Sequence, residues 1–166
     1  MAIEHDFFGI IDETASGGLA WQDTVELGDQ AVEIDLQADA ESRVTGYALD
    51  SAAALLQALE GFDARARDAL VAQLSDRASE TVNYVDQQVD DMGESLLDLL
   101  VHNSGDLQVD VLRSLQLMRI ALFPENSDED DVFATFDYSI SPDDTDAILI
   151  VSFDIRGDVV AVEMQG

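Results

Sequence analysis

Lysine is missing from this sequence. The chain has 166 residues, and all 7 of its cationic side chains are arginines, set against 36 Asp and Glu for a formal net charge of −29. So few cations exclude unaided binding to a nucleic-acid backbone or an anionic membrane, because both need clustered Lys and Arg to meet phosphate. Cysteine is missing too, which excludes disulfides, thiolate metal sites and a cysteine nucleophile and leaves the redox compartment open. Histidine is scarce. His5 and His102 lie far apart in sequence and make no spaced ligand set of the kind transition metals take. They read as a terminal surface histidine and a helix-end histidine that caps carbonyls. Long apolar runs are lacking as well: Phe7–Ile11, Ala52–Leu56 and Ala147–Val151 are the longest, far short of the roughly 18 residues of a spanning helix. The start, Met1-Ala2-Ile3-Glu4-His5-Asp6, is acidic where a secretory leader is basic. The expectation is a soluble, cytoplasmic protein with no membrane or nucleic-acid partner.

What is present is enough apolar material for a core. Hydrophobic residues make up 47% of the chain, which is ordinary for a folded domain. The length predicts one domain over residues 1–166, able to bury about two-thirds of its unfolded surface.

The period of the pattern changes twice. Over 19–27 and again over 30–38 the residues alternate, placing Trp21, Val25 and Leu27, then Val32, Ile34 and Leu36, on one face. Period two predicts strands with one buried face, and Gly28-Asp29 between them is a two-residue hairpin signal. That loop pairs Leu27 with Gln30, Val25 with Val32, Asp23 with Ile34 and Trp21 with Leu36, leaving Asp23 the one misfit in an apolar row. The middle reads as helix: 51–60 capped by Asp50 and ended by Gly61, 64–74 capped by Asp63, 78–92 broken by Gly93, and a short apolar helix over 94–101. Strands return at 115–123, apolar on both faces and therefore central, then at 132–140 and 147–153. Arg156-Gly157 predicts a tight hairpin into 159–164, pairing Phe153 with Val160, Val151 with Val162 and Leu149 with Met164. Strands at about 19–38, helices at about 51–101 and strands at about 115–164 make an α+β domain. The expected architecture is an antiparallel sheet of five to seven strands built from N- and C-terminal hairpins, with the helical segment packed on one face.

Charge is spread along this chain. Residues 1–50 carry 12 acids and 1 Arg, 51–105 carry 10 and 3, and 106–166 carry 14 and 3. The densest stretch is 125–131, containing Asp128, Glu129, Asp130 and Asp131; Asp143, Asp144 and Asp146 follow in the next loop, and Asp86, Asp90 and Asp91 end a helix. In a meander the first two loops fall at opposite ends of the strand between them. Such acid serves as solvated surface, or as adaptation to a salty host, or as a face that meets a basic protein with fast, steered association. On the last reading the contact residues are Asp128, Glu129, Asp130, Asp131, Asp143 and Asp144.

Motifs for chemistry do not assemble. The 128–131 acids lack the turn glycine and distal glutamate of a calcium loop. No serine sits in a nucleophile elbow, and Gly17-Gly18 belongs to no phosphate-binding motif. With 36 acids, carboxylate pairs of the glycosidase kind arise by chance. Catalytic residues, cofactors and metals are therefore not assigned. Arg119 stands inside an apolar strand, where an unpaired charge is costly, and needs a partner such as Asp137 on a neighbouring strand. Trp21, Phe62 and Tyr84 read as core or half-buried aromatics.

Several short motifs keep a common order: His5-Asp6-Phe7-Phe8-Gly9, Phe62-Asp63-Ala64-Arg65-Ala66-Arg67, Leu117 to Glu125, Phe136-Asp137-Tyr138-Ser139-Ile140, Thr145-Asp146, and Phe153-Asp154 ahead of Gly157. Together they resemble the bacterial domain-of-unknown-function family two thousand and four, over residues 5 to 164. The resemblance implies a small, acidic, soluble bacterial protein and carries over no functional residue. The chain departs from that family in lacking lysine and in using 25 Asp against 11 Glu. The expectation is a non-enzymatic acidic binding protein, in its most concrete form an immunity-type antitoxin that covers a basic toxin domain. The alternative is a housekeeping protein whose acidity is salt adaptation. The sequence leaves the oligomeric state open.

Overall fold

The computed structural model describes residues 3–101, 103–128 and 131–166. Eight strands form one sheet in the order β1 to β8: β1 Ile3–His5, β2 Gly9–Glu13, β3 Leu19–Leu27, β4 Gln30–Ala38, β5 Gln116–Leu122, β6 Ala134–Ser139, β7 Ile148–Phe153 and β8 Val159–Gln165. Between β4 and β5 come four α-helices, α1 Gly46–Gln57, α2 Leu59–Ala72, α3 Glu80–Met92 and α4 Leu107–Arg113. The architecture is α+β, but the sheet corrects the sequence expectation twice. It has eight strands, not five to seven. It is mixed, because β4 and β5 pair in parallel while every other neighbour is antiparallel. The physical reason for the second point is the connection. A tight turn can only reverse the chain, whereas the helical connection between β4 and β5 is long enough to bring it back beside β4 in the same direction.

The two extra strands are the N-terminal hairpin. β1 and β2 pair Ile3 with Ile11 and His5 with Gly9. Each is too short for alternation to register, and within β2 only Ile11 is buried. The hairpin is fastened by Phe8, whose ring meets Trp21 edge-on at 4.8 Å and whose carbonyl accepts the Trp21 Nε1–H at 2.9 Å. The β3–β4 register is the one the alternation predicts, Asp23 opposite Ile34 included. Asp23 is exposed and its carboxylate accepts the Thr24 N–H at 2.8 Å, so the misfit costs little. The β7–β8 hairpin keeps Leu149–Met164 and Val151–Val162 but pairs Phe153 with Val159, not Val160, through an irregularity at Ser152/Phe153.

Helix boundaries moved for reasons of capping. α1 begins at Gly46, with the Thr45 hydroxyl accepting from Ala48 N at 3.0 Å, and Asp50 lies inside the helix. The break before α2 falls at Ala58, so Gly61 and Asp63 are both interior to α2. Asp63 is tolerated there because its carboxylate is used elsewhere. It accepts from Arg67 Nε at 3.1 Å and from the Tyr138 hydroxyl at 2.7 Å. α3 is capped by Ser79 and stopped by Gly93 at φ 56°. The segment expected as a fourth helix is a 3-10 helix over Gly93–Leu99. α4, capped by Asp106, has no counterpart in the sequence reading.

The helices and one face of the sheet enclose the core. The rung Ile34–Ile120–Phe136–Val151–Val162 runs across five strands in register, and its first four members are wholly buried. α2 and α3 pack over β7 and β8. Phe62 meets Phe153 edge-on at 5.6 Å, and Tyr84 accepts the Ile140 N–H at 2.9 Å. At the β7–β8 turn only glycine fits position 157: φ is +87°, and a Cβ would stand 3.0 Å from both Phe62 and Arg65. Trp21 and Phe62 are half-buried and Tyr84 is fully buried.

Candidate functional site

A strand shows alternate side chains to opposite faces, so the residues between the core rows of β4 to β8 form a second face that no helix covers. Two adjacent rungs define it. The first reads Glu33–Arg119–Asp137–Ile150–Glu163, and the second Asp35–Ala121–Thr135–Ser152–Ala161. One rung is charged and bulky; the other, beyond Asp35, is built from the smallest side chains. Small side chains beside large ones leave hollows. A hollow of about 470 Å³ spans β4 to β8 over the small rung. Two of about 520 Å³ adjoin it, one toward β3 and one toward the β6–β7 loop. All three are lined in part by Arg119.

Arg119 is the one cation of these two rungs. Its Nη2 is ion-paired with Asp35 on β4. Glu33 and Asp137 stand directly beside it in register on the two neighbouring strands. The partner expected for Arg119 was Asp137. The structure gives the bond to Asp35 and leaves Asp137 as a charged neighbour. Burial raises the Asp137 pKa above the ordinary carboxylate value, and the Arg119 charge offsets only part of that rise. The Arg119 Nε is buried with no hydrogen-bond partner. The face thus holds more carboxylate than its single guanidinium neutralises, in a place where water is partly excluded.

The acidic loops border this face. Asp128 and Asp131 are exposed in the β5–β6 loop, where the Asp131 N–H donates to the Asp128 carbonyl at 3.3 Å. Glu129 and Asp130 lie outside the described residues. Asp143 and Asp144 are exposed in the β6–β7 loop, with Asp144 accepting from the Ser141 hydroxyl at 2.7 Å. The two loops sit at opposite ends of β6 and make no single patch. Yet Asn126 and Val132 of the first line one hollow, and Pro142, Thr145 and Asp146 of the second line another. They are two rims of one open face. Sequence reading found the rims, Arg119 and its neighbour Asp137, and on β4 missed Glu33 and Asp35. Their signal was the polar side of β4, which gains meaning only once β4 is known to lie beside β5.

Elsewhere several polar groups serve the fold. Tyr138 is buried, and both burial and the Asp63 carboxylate raise its pKa far above the ordinary tyrosine range. Burial raises that of Tyr84 as well. Asp154 is buried and holds the β7–β8 turn by accepting from Arg156 N at 2.9 Å and Asp158 N at 3.0 Å. His5 is no free surface group: its Nε2 donates to Asp50 at 2.8 Å, tying β1 to α1. His102 lies outside the described residues. Among the described residues no three His, Asp or Glu side chains converge as metal ligands, and no helix is long and apolar enough to cross a membrane.

Comparison of the chain with protein-family models, with curated proteins and with solved structures returns no match. Residue roles at this face accordingly rest on its geometry alone.

Proposed function

We propose that the chain is a non-enzymatic acidic binding protein that receives a basic protein on the open face of its sheet, as an immunity-type antitoxin covers a basic toxin domain. The observation that carries this reading is the open face itself: Glu33, Asp35, Asp137 and Glu163 stand in two adjacent rungs against the single guanidinium of Arg119. The hollows there are shallow troughs on a sheet surface, a shape suited to a macromolecule. From β4 to β8 the face is about 20 Å wide and about 20 Å long by strand geometry. That is roughly 400 Å², while a stable partner covers about 800 Å² on each side. The rim loops with Asp128, Glu129, Asp130, Asp131, Asp143 and Asp144 are therefore needed as part of the contact.

Affinity capture from the native cell at low salt is the direct test. A basic protein is expected to co-purify and to elute as salt rises, because steering between opposite charges is screened. Arginine substitutions of Asp128 with Asp131, and of Asp143 with Asp144, are expected to slow association and flatten its salt dependence. Recovery of no basic protein, or kinetics untouched by both variants, overturns the reading.

A second reading, a housekeeping protein whose acidity is salt adaptation, is favoured by the spread of acid over all three segments of the chain, 12, 10 and 14 residues in turn. The melting temperature measured against KCl separates the two. Strong stabilisation at molar salt belongs to adaptation, and a flat response belongs to binding.

A further inference from the structure

The hollow over the small rung has the chemistry of a specific side-chain socket. Its floor is the low rung Ala121–Thr135–Ser152–Ala161, and at the β7–β8 end Ile150 beside Ala161 makes an apolar patch. Two carboxylates stand along one wall, Asp137 on β6 and Glu163 on β8. They lie two strands apart, about 10 Å, with Ile150 between them. The Thr135 and Ser152 hydroxyls sit in the neighbouring rung. Arg119 also lines the hollow and stands beside Asp137, but it is already ion-paired with Asp35, so with Asp137 and Glu163 the group is net anionic.

We propose that this hollow seats an arginine side chain of the basic partner, its methylene stem on Ile150 and Ala161 and its guanidinium between Asp137 and Glu163. The proposal rests on the basic-partner reading and names the contact at its centre. An arginine suits the site better than a lysine. Its stem is apolar and lies along an apolar patch while the charged head stays among polar groups. Its planar fork carries five donors, enough to meet a carboxylate and the two hydroxyls together, where an ammonium is a single point charge. A desolvated arginine at the centre of a rimmed face is also the residue type and position that dominate binding energy at protein interfaces. Charge complementarity decides the sign: an acidic guest would meet two carboxylates, and an apolar one would leave both buried without a partner.

The test uses the full chain, labelled with nitrogen-15, and two probes at low salt: the capped tripeptide acetyl-Val-Arg-Val-amide and octa-arginine. Saturable shifts are expected at the amides of Ala121, Thr135, Ser152 and Ala161. Ala161→Leu fills the hollow from a half-buried edge-strand position, and Thr135→Leu does so from the other side if the first variant is poorly folded. Either filling, like Asp137→Asn combined with Glu163→Gln, is expected to weaken binding of at least one probe about tenfold. Binding that survives filling and neutralisation unchanged, or shifts confined to the rim loops, overturns the socket and leaves the basic-partner reading standing. Failure of both probes to bind the unaltered protein overturns the two together.

Discussion

The two faces of this sheet are made by the same strands, one residue out of step, and they obey opposite rules. On the helix-covered face Ile34, Ile120, Phe136 and Val151 stand in a row and are wholly buried. One position away, Glu33, Arg119, Asp137 and Ile150 stand in a row that no helix covers. The first face is an interior, held by area removed from water and by close packing. The second is half solvated, mixed in polarity and deficient in cations. Stability resides on one side of the sheet, and recognition, on the proposal made above, on the other. Of the polar groups on the covered side, Tyr138 is paired with Asp63 and Tyr84 with the Ile140 N–H, while the Gln88 amide of α3 is buried without a partner. The open side leaves Arg119 Nε without a partner.

The comparison breaks most easily by truncation. Phe136→Ala on the covered face is expected to cost about 3–5 kcal/mol by urea unfolding, and Thr135→Ala, its neighbour on the open face, within about 0.5 kcal/mol. Equal losses would mean that the two faces are not energetically distinct. Next in size is Asp63→Ala, which strips the buried Tyr138 hydroxyl of its acceptor and is expected to cost about 2 kcal/mol.

Alkaline titration sharpens the same point. Tyr84 and Tyr138 both have pKa values raised above 10.0 in the folded chain, so the unfolded chain loses these protons first. Stability is then complete below that pH and falls as pH rises above it. Tyr138→Phe is expected to make the fall shallower in melting curves taken between about pH 9 and 11. The smallest effect belongs to the open face. The Asp137 pKa is raised by burial, so its ionised form weakens the fold at neutral pH. Asp137→Asn is expected to stabilise the chain slightly there, and the gain to fade as pH falls toward the ordinary aspartate value. A loss at neutral pH would show that Asp137 is a structural partner of Arg119, and would remove it from the recognition face.

Much of the fold was legible in short-range pattern. The β3–β4 register followed from alternation plus Gly28-Asp29, and Gly93 stopped α3 as a glycine at positive φ does. Errors fell where tertiary contacts override local signals. Asp63 resembles a cap and is an interior residue bonded to Arg67 and Tyr138. Gly61 resembles a helix end and lies inside α2. β1 and β2 are too short to alternate visibly. Asp50 resembles a cap and serves His5 instead. Of the candidate site, Arg119 could be singled out as a charge in an apolar strand, but its bond to Asp35 could not.

Taken alone, the sequence determined the anionic character, the α+β order of elements, the alternation that gives β3, β4 and β6 an apolar side, and the turn that fixes the β3–β4 hairpin, because each is a property of residues close together in the chain. Only the tertiary structure decided that β4 runs parallel beside β5, and that Glu33 and Asp35 therefore join Asp137 around Arg119. Those are contacts across a long helical crossover, and no local period records which strand a returning chain will meet.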